Sequence, residues 1–201
     1  VSFSPDGKRL ATAGLEGDMH IWDVKARRRL FTLHGHSGGV YDLAYSPDGS
    51  QLASGCQDAT IRFWNPHPPT IEKLMPQIRW GDNMKAGWPV FSPDSRWMAA
   101  AMQNGELHIV DTTTAEWSVR TALTNAGFPI TFSRDAATLL TLASEDKALR
   151  RWNTASKTLL STTRLETTNV AWRFSSITPD GNVLALSNGR LIEVFDTRTG
   201  R

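Results

Sequence analysis

Short apolar runs alternate with tight polar turns along the whole chain. The runs Arg9–Ala13, Gln51–Ser54, Trp97–Ala101, Thr138–Ala143 and Val183–Leu186 each follow a Ser-Pro-Asp-Gly turn or a close variant of it. Pro fixes φ and Gly accepts positive φ, so such a tetrapeptide reverses the chain sharply. A second polar turn comes next, such as Gln57-Asp58-Ala59 or Glu145-Asp146-Lys147. An alternating strand follows it, as in Thr60–Trp64, and a fourth run closes the unit at Leu30–Leu33, Ile71–Leu74, Trp117–Thr121 or Leu159–Thr162. Alternation over four to eight residues is the signature of half-buried strands. No segment carries a convincing helical period, and the pattern predicts an all-β protein.

Two signals recur in step. The first is the turn: Phe3-Ser-Pro-Asp-Gly7, Tyr45-Ser-Pro-Asp-Gly49, Phe91-Ser-Pro-Asp94, Phe132-Ser-Arg-Asp135 and Ile177-Thr-Pro-Asp-Gly181, spaced by 42, 46, 41 and 45 residues. The second is Trp22-Asp23, Trp64-Asn65, Val110-Asp111, Trp152-Asn153 and Phe195-Asp196, spaced by 42, 46, 42 and 43. Four short strands in a unit of this length make one blade of a β-propeller. The sequence predicts four-stranded antiparallel blades at about 1–33, 37–75, 84–121, 126–162 and 169–201, all in one domain spanning 1–201. Val1 falls inside a first strand, and the fifth unit stops at Arg201 where an outer strand should begin. Propellers close with about four to eight blades, so the expectation is part of a larger propeller.

These residues resemble the WD-repeat family. His34-Gly-His36-Ser-Gly-Gly-Val40 through Trp64-Asn65 matches the family pattern almost throughout, while the other units are worn. The resemblance implies a buried polar network of His36, Ser54, Asp58 and Trp64 in the second blade. It also implies that Gly-His and the Asp turn share one face, the top, with the Ser-Pro-Asp-Gly turns on the other. Blade two alone has the full set: the His position holds Asp82 in blade three and Thr168 in blade five, and blade four has no His nearby.

Composition adds exclusions. Lys plus Arg total 22 and Asp plus Glu total 20, a formal charge of +2. That is too small to argue for nucleic acid as a partner. No stretch approaches the roughly 20 apolar residues a membrane helix needs, so neither nucleic acid nor membrane is expected. The single cysteine, Cys56, excludes a disulfide within the chain and fits a reducing compartment; the expected location is cytoplasmic.

Candidate chemistry is sparse. Ser54, His36 and Asp58 carry the letters of a hydrolase triad, but no strand–turn–helix elbow presents the serine and Trp64 offers it another partner. The set reads as packing, and no catalytic residue is assigned. His34 and His36 have no Cys–His cluster around them in sequence and the other histidines lie in other repeats, so neither metal nor cofactor is expected. The recurring Asp6, Asp48, Asp94, Asp135 and Asp180 read as turn formers. Lys25-Ala-Arg-Arg-Arg29 reads as a solvated loop, and Pro66-His-Pro-Pro69 as a stiff extended one.

The chain is therefore expected to be no enzyme, but a scaffold that presents the propeller's top face to other proteins or peptides. The resemblance places the contact positions at Tyr41, Gln57, Lys85, Gln103, Phe128, Glu145 and Arg173, with Gly39 beside them. The alternative is a regulatory or sensory module appended to a kinase or NTPase domain elsewhere, because the evenly spaced turns resemble bacterial WD-repeat regulators. Further repeats or domains of the same polypeptide are then also partners.

Overall fold

The computed structural model describes residues 1–67, 77–79, 86–102, 106–113, 121–123, 125–167, 174–178, 180–188 and 190–201, with the backbone alone at 77–79, 86–88, 102, 121–122 and 174. Blade one comprises β1 (Ser2–Phe3), β2 (Arg9–Ala13), β3 (Met19–Asp23) and β4 (Arg28–Leu33). Blade two comprises β5 (Val40–Tyr45), β6 (Leu52–Cys56), β7 (Thr60–Trp64) and β8 (Gln77–Arg79). Blade three comprises β9 (Ala86–Phe91), β10 (Trp97–Met102), β11 (Leu107–Asp111) and β12 (Thr121–Leu123). Blade four comprises β13 (Phe128–Phe132), β14 (Thr138–Ala143), β15 (Ala148–Asn153) and β16 (Leu159–Arg164). Blade five has three strands among the described residues, β17 (Phe174–Ile177), β18 (Val183–Ser187) and β19 (Ile192–Asp196). Each sheet is an antiparallel meander in chain order. The first strands, β1, β5, β9, β13 and β17, pack each on the next.

Among the described residues, the outer strands of blades two and three fall at β8 and β12, the second sharing Thr121 with the expected run Trp117–Thr121. β8 and β12 carry blades two and three to Arg79 and Leu123, past the expected ends at 75 and 121. Ile78 stands opposite Ile61, and Leu123 opposite Leu107. An apolar run alone does not fix a register; a cross-strand partner does. The expected runs at 71–74 and 117–120 lie outside the described residues.

Burial follows the pleat. In blades two to five the Trp-type residue of the third strand packs toward the preceding blade, and in blades one to three the residue before it packs toward the following one. Ile21 packs with Val40, Leu43 and Leu52 of blade two, and Trp64 joins the same cluster from the other side. Phe63 packs with Met98, Ala100 and Val110 of blade three. Ile109 packs with Phe132 and Leu139 of blade four, where Trp152 also sits. Removing one such side chain from water stabilises the fold by about 1.5–3 kcal/mol. The core is thus a series of inter-blade layers, and no blade buries its own faces alone.

The turns between first and second strands repeat one geometry. In each, a hydroxyl donates to the Asp two residues on: Ser4 to Asp6 at 2.6 Å, Ser46 to Asp48 at 2.6 Å, Ser92 to Asp94 at 2.5 Å, Ser133 to Asp135 at 2.6 Å and Thr178 to Asp180 at 2.5 Å. These bonds hold the Asp6, Asp135 and Asp180 carboxyls below the usual range. The recurring aspartates are turn formers. Pro66 and His67 are clamped to blade one, where Arg9 Nη1 donates to the Pro66 carbonyl at 2.7 Å; Pro68 and Pro69 lie outside the described residues.

Candidate functional site

Blade two holds the one extended polar network that the sequence singles out. Its members come from three places: His36 from the loop before β5, Ser54 from the middle of β6, and Asp58 from the turn before β7, which ends in Trp64. Trp64 Nε1 donates to Ser54 Oγ at 2.7 Å. Ser54 Oγ lies 2.6 Å from His36 Nε2, and His36 Nδ1 lies 2.9 Å from Asp58 Oδ2. The directions are forced from both ends. The indole can only donate and the carboxylate can only accept. Ser54 therefore donates to Nε2, and a neutral imidazole donates from Nδ1.

Three further donors complete the carboxylate. The backbone N–H of Ser37 reaches Asp58 Oδ2 at 3.0 Å, while Thr60 donates to Oδ1 from its Oγ1 at 2.6 Å and from its backbone N–H at 3.1 Å. Thr60 was missed by the sequence reading; the Asp-x-Thr spacing, which lets a side chain cap its own turn, was the available signal.

The electrostatics agree with that assignment. Burial pulls His36 below its ordinary 6.5, with the Asp58 hydrogen bond opposing, so the ring is neutral at pH 7. Burial would raise Asp58, but the Thr60, His36 and Ser37 bonds outweigh it and hold the carboxyl far below the usual range. Ser54 is fully buried and already bonded on both sides. It offers no exposed nucleophile, and the triad letters serve packing.

Cys56 corrects one expectation. Sequence places no cysteine near the histidines, yet the fold brings Cys56, His36 and Asp58 together, with their ligand-type atoms within 4.8 Å of one another. The pairing across β5 and β6 does this, since Cys56 stands opposite Val40 just after the His36 loop. The arrangement is one of hydrogen bonds. Two ligands on one tetrahedral zinc stand about 3.3 Å apart, whereas His36 and Asp58 share a proton across 2.9 Å. Burial pushes the Cys56 thiol up to about 11, so it keeps its proton, and its sulfur sits 3.2 Å from the Gly38 carbonyl.

At the same end of the sheets lie the expected contact positions. Tyr41 is 45% exposed and Phe128 38%, and Gln57 and Glu145 are exposed on the turns between second and third strands. Neither aromatic is tucked between blades. The bulge of the first strand falls at Tyr41 in blade two but at Ile130 in blade four, so Phe128 is in register with Leu142 while Tyr41 stands in the irregularity. Gly39 is buried, and a Cβ there would meet the Leu15 side chain at 3.2 Å and Gln57 Oε1 at 3.7 Å. Leu15, 84% exposed, is a neighbour that the sequence reading missed. Lys85, Gln103 and Arg173 lie outside the described residues. On the opposite face, Lys25–Arg29 is exposed, with Arg28 and Arg29 opening β4.

Comparisons with known proteins agree with the geometry. The model of the WD domain, G-beta repeat family, matches residues 1–23 and 27–65. WD repeat-containing protein 1 of Gallus gallus is 44% identical over 68 residues, 32% of this chain and 11% of that protein. The Periodic tryptophan protein 2 homolog of Neurospora crassa is 32% identical over 128 residues, 63% of this chain and 13% of that protein. The chain thus spans little more than a tenth of the length of these curated relatives. Among solved structures, the β-propeller domain of Cps50 (Swd1) from Myceliophteria thermophila superposes with a TM-score of 0.78 at 20% identity, covering 96% of this chain and 64% of that one. Residues 1–23 and 27–65 thus carry repeats of the WD type, within a chain whose architecture is that of a β-propeller.

Proposed function

We propose that this propeller is a noncatalytic interaction platform whose top face, around Tyr41, Gln57, Phe128, Glu145 and Leu15, receives other proteins or peptides. The observation that carries the reading is the contrast on that face. The triad-like set of His36, Ser54 and Asp58 is sealed by mutual hydrogen bonds, while large side chains stand exposed on strands and turns anchored by packed blades. Rigidly held aromatic side chains supply contact area at low entropic cost and often dominate binding. Relatives with similar repeats include a U3 snoRNP-associated protein-like protein of Arabidopsis thaliana and an actin-interacting protein of Drosophila melanogaster; their names support an interaction role without supplying this chain's partner. Cytoplasmic residence belongs to the same proposal, and imaging of a tagged chain tests it.

Photo-crosslinking from position 57 in the source cell, with and without Tyr41→Ala and Phe128→Ala, tests the top face. A specific adduct should form and fall about tenfold or more in the double variant. An adduct of undiminished yield in a folded double variant removes these two side chains as anchors. Ester or peptide turnover abolished by Ser54→Ala would overturn the noncatalytic reading.

A further inference from the structure

Five blades in one register allow each position to be judged against four equivalents. On the third strand, the residue before the Trp-type position is Ile21, Phe63, Ile109 and Val194 in blades one, two, three and five, opposite Ala11, Ala53, Ala99 and Ala185. Ile21, Phe63 and Ile109 are buried against the following blade. Blade four has Arg151 there, opposite Leu140. The second residue of the turn is Pro5, Pro47, Pro93 and Pro179 in four blades, and Arg134 in blade four. Nothing in the repeat links these two positions. Both arginines nevertheless line one cavity of about 170 Å³ between blades four and five, with Ser133, Thr178, Asp180 and Gly181.

A guanidinium in an apolar slot loses hydration and needs compensation. Arg151 is half-buried and makes one hydrogen bond among the described residues, Nη2 to Thr197 Oγ1 at 3.0 Å. Arg134 makes none among them. The carboxylates nearby are already engaged. Asp135 accepts from Ser133 and the Ala137 N–H, and Asp180 from Thr178 and from both nitrogens of Asn182. Among the described residues, the lining therefore carries two cations, half-buried Arg151 and exposed Arg134, against the carboxylate of Asp180, with donors of both guanidinium forks free of protein partners. Such forks match carboxylate and phosphate oxygens. Pockets for whole metabolites measure about 300–1,000 Å³, so this cleft is sized for one functional group on a longer chain.

We propose that the cleft between blades four and five, on the face opposite Tyr41, binds a peptide-borne oxyanion through Arg134 and Arg151. The test restores the repeat. Arg134→Pro and Arg151→Ile put the side chains of other blades at both positions, and a thermal melt verifies that the double variant is folded. The probes are inorganic phosphate, N-acetyl-phosphoserine amide and N-acetyl-glutamate amide, titrated at constant ionic strength against the arginine Nε–H signals of the full chain. Saturable shifts of both side chains are expected, with affinity about tenfold or more weaker in the double variant. The tighter amide identifies phosphate or carboxylate as the source. Binding that is equal in parent and double variant, or absent for all three probes, overturns the proposal. A loss of thermal stability in Arg151→Ile without any probe binding to the parent assigns Arg151 to structure alone and overturns it equally.

Discussion

In blade two the Trp64 indole is satisfied through Ser54, His36 and Asp58; in blade four the Trp152 indole donates to Thr141 Oγ1 at 3.1 Å, and Thr141 donates onward to the Ala126 carbonyl at 2.5 Å. Both routes end on a strong acceptor. One runs through side chains to a carboxylate, tying the loop before β5 to the turn before β7. The other ends on backbone, and it requires the chain before β13 to lie close against β14. Blade one has the same first step, Trp22 to Thr12 at 2.9 Å. What the three indoles share is a satisfied N–H, and the four-residue motif is one of several ways to achieve it.

The largest expected effect tests the backbone route. Gly127, at φ +80°, sits between Ala126 and Phe128, and a Cβ there would lie 2.1 Å from the Leu142 carbonyl oxygen. Positive φ disfavours a side chain by about 1–2 kcal/mol, and displacing β14 adds an overpacking cost of about 1–3 kcal/mol. Gly127→Ala should therefore destabilise by roughly 2–5 kcal/mol. Urea melts followed by tryptophan fluorescence give the value. A loss under 1 kcal/mol would mean that blade four does not depend on this approach.

The side-chain route predicts a smaller loss with a pH signature. Asp58→Ala leaves the buried imidazole of His36 without its acceptor and should cost about 1–3 kcal/mol. The sign with pH follows from both shifts. His36 titrates below its ordinary 6.5 in the fold, so the unfolded chain takes up the proton first. Stability is then full above about 6.5 and declines as pH falls from there toward the folded value. Asp58 is likewise depressed, and its contribution is present above 3.8 and lost as pH falls toward its lower folded value. Acid should thus weaken the chain in two steps. His36→Gln should abolish the first, and melts at pH 8 and pH 5.5 compare them. An unchanged slope in His36→Gln would mean that His36 is not the group titrating.

Blade two was legible because its network is spelled in side chains at fixed spacing. The Ser-Asp turns were legible for the same reason, and all five formed. Blade four's solution left no such trace: Thr141 stands at the register position of Ser54, but its acceptor is a main-chain carbonyl that any residue supplies. The cluster of Cys56 with His36 and Asp58 was hidden because cross-strand pairing, not spacing, creates it. Arg134 and Arg151 are 17 residues apart; the meander of blade four brings both to one cleft, whose other wall is blade five.

The smallest expected effect concerns the turns that both blades share. The fourth turn residue has φ between 57° and 73° in every blade: Gly7, Gly49, Ser95, Ala136 and Gly181. Blade two uses Gly49, and blade four holds Ala136 in the same left-handed conformation. A reciprocal swap separates strain from packing. At Gly49 a Cβ meets only Pro5 at 3.5 Å, an ordinary contact, so Gly49→Ala should lose about 1 kcal/mol through backbone strain. Ala136→Gly relieves that strain, but glycine gives the unfolded chain more freedom, worth about 0.5–1 kcal/mol. The Ala136 methyl is also buried. The two sides nearly cancel, and Ala136→Gly should change stability by no more than about 0.5 kcal/mol. Urea midpoints of the two single variants measure the asymmetry. Equal and opposite shifts of about 1 kcal/mol would show that strain alone governs these turns, and that the freedom glycine gives the unfolded chain plays no part in choosing between the two blades.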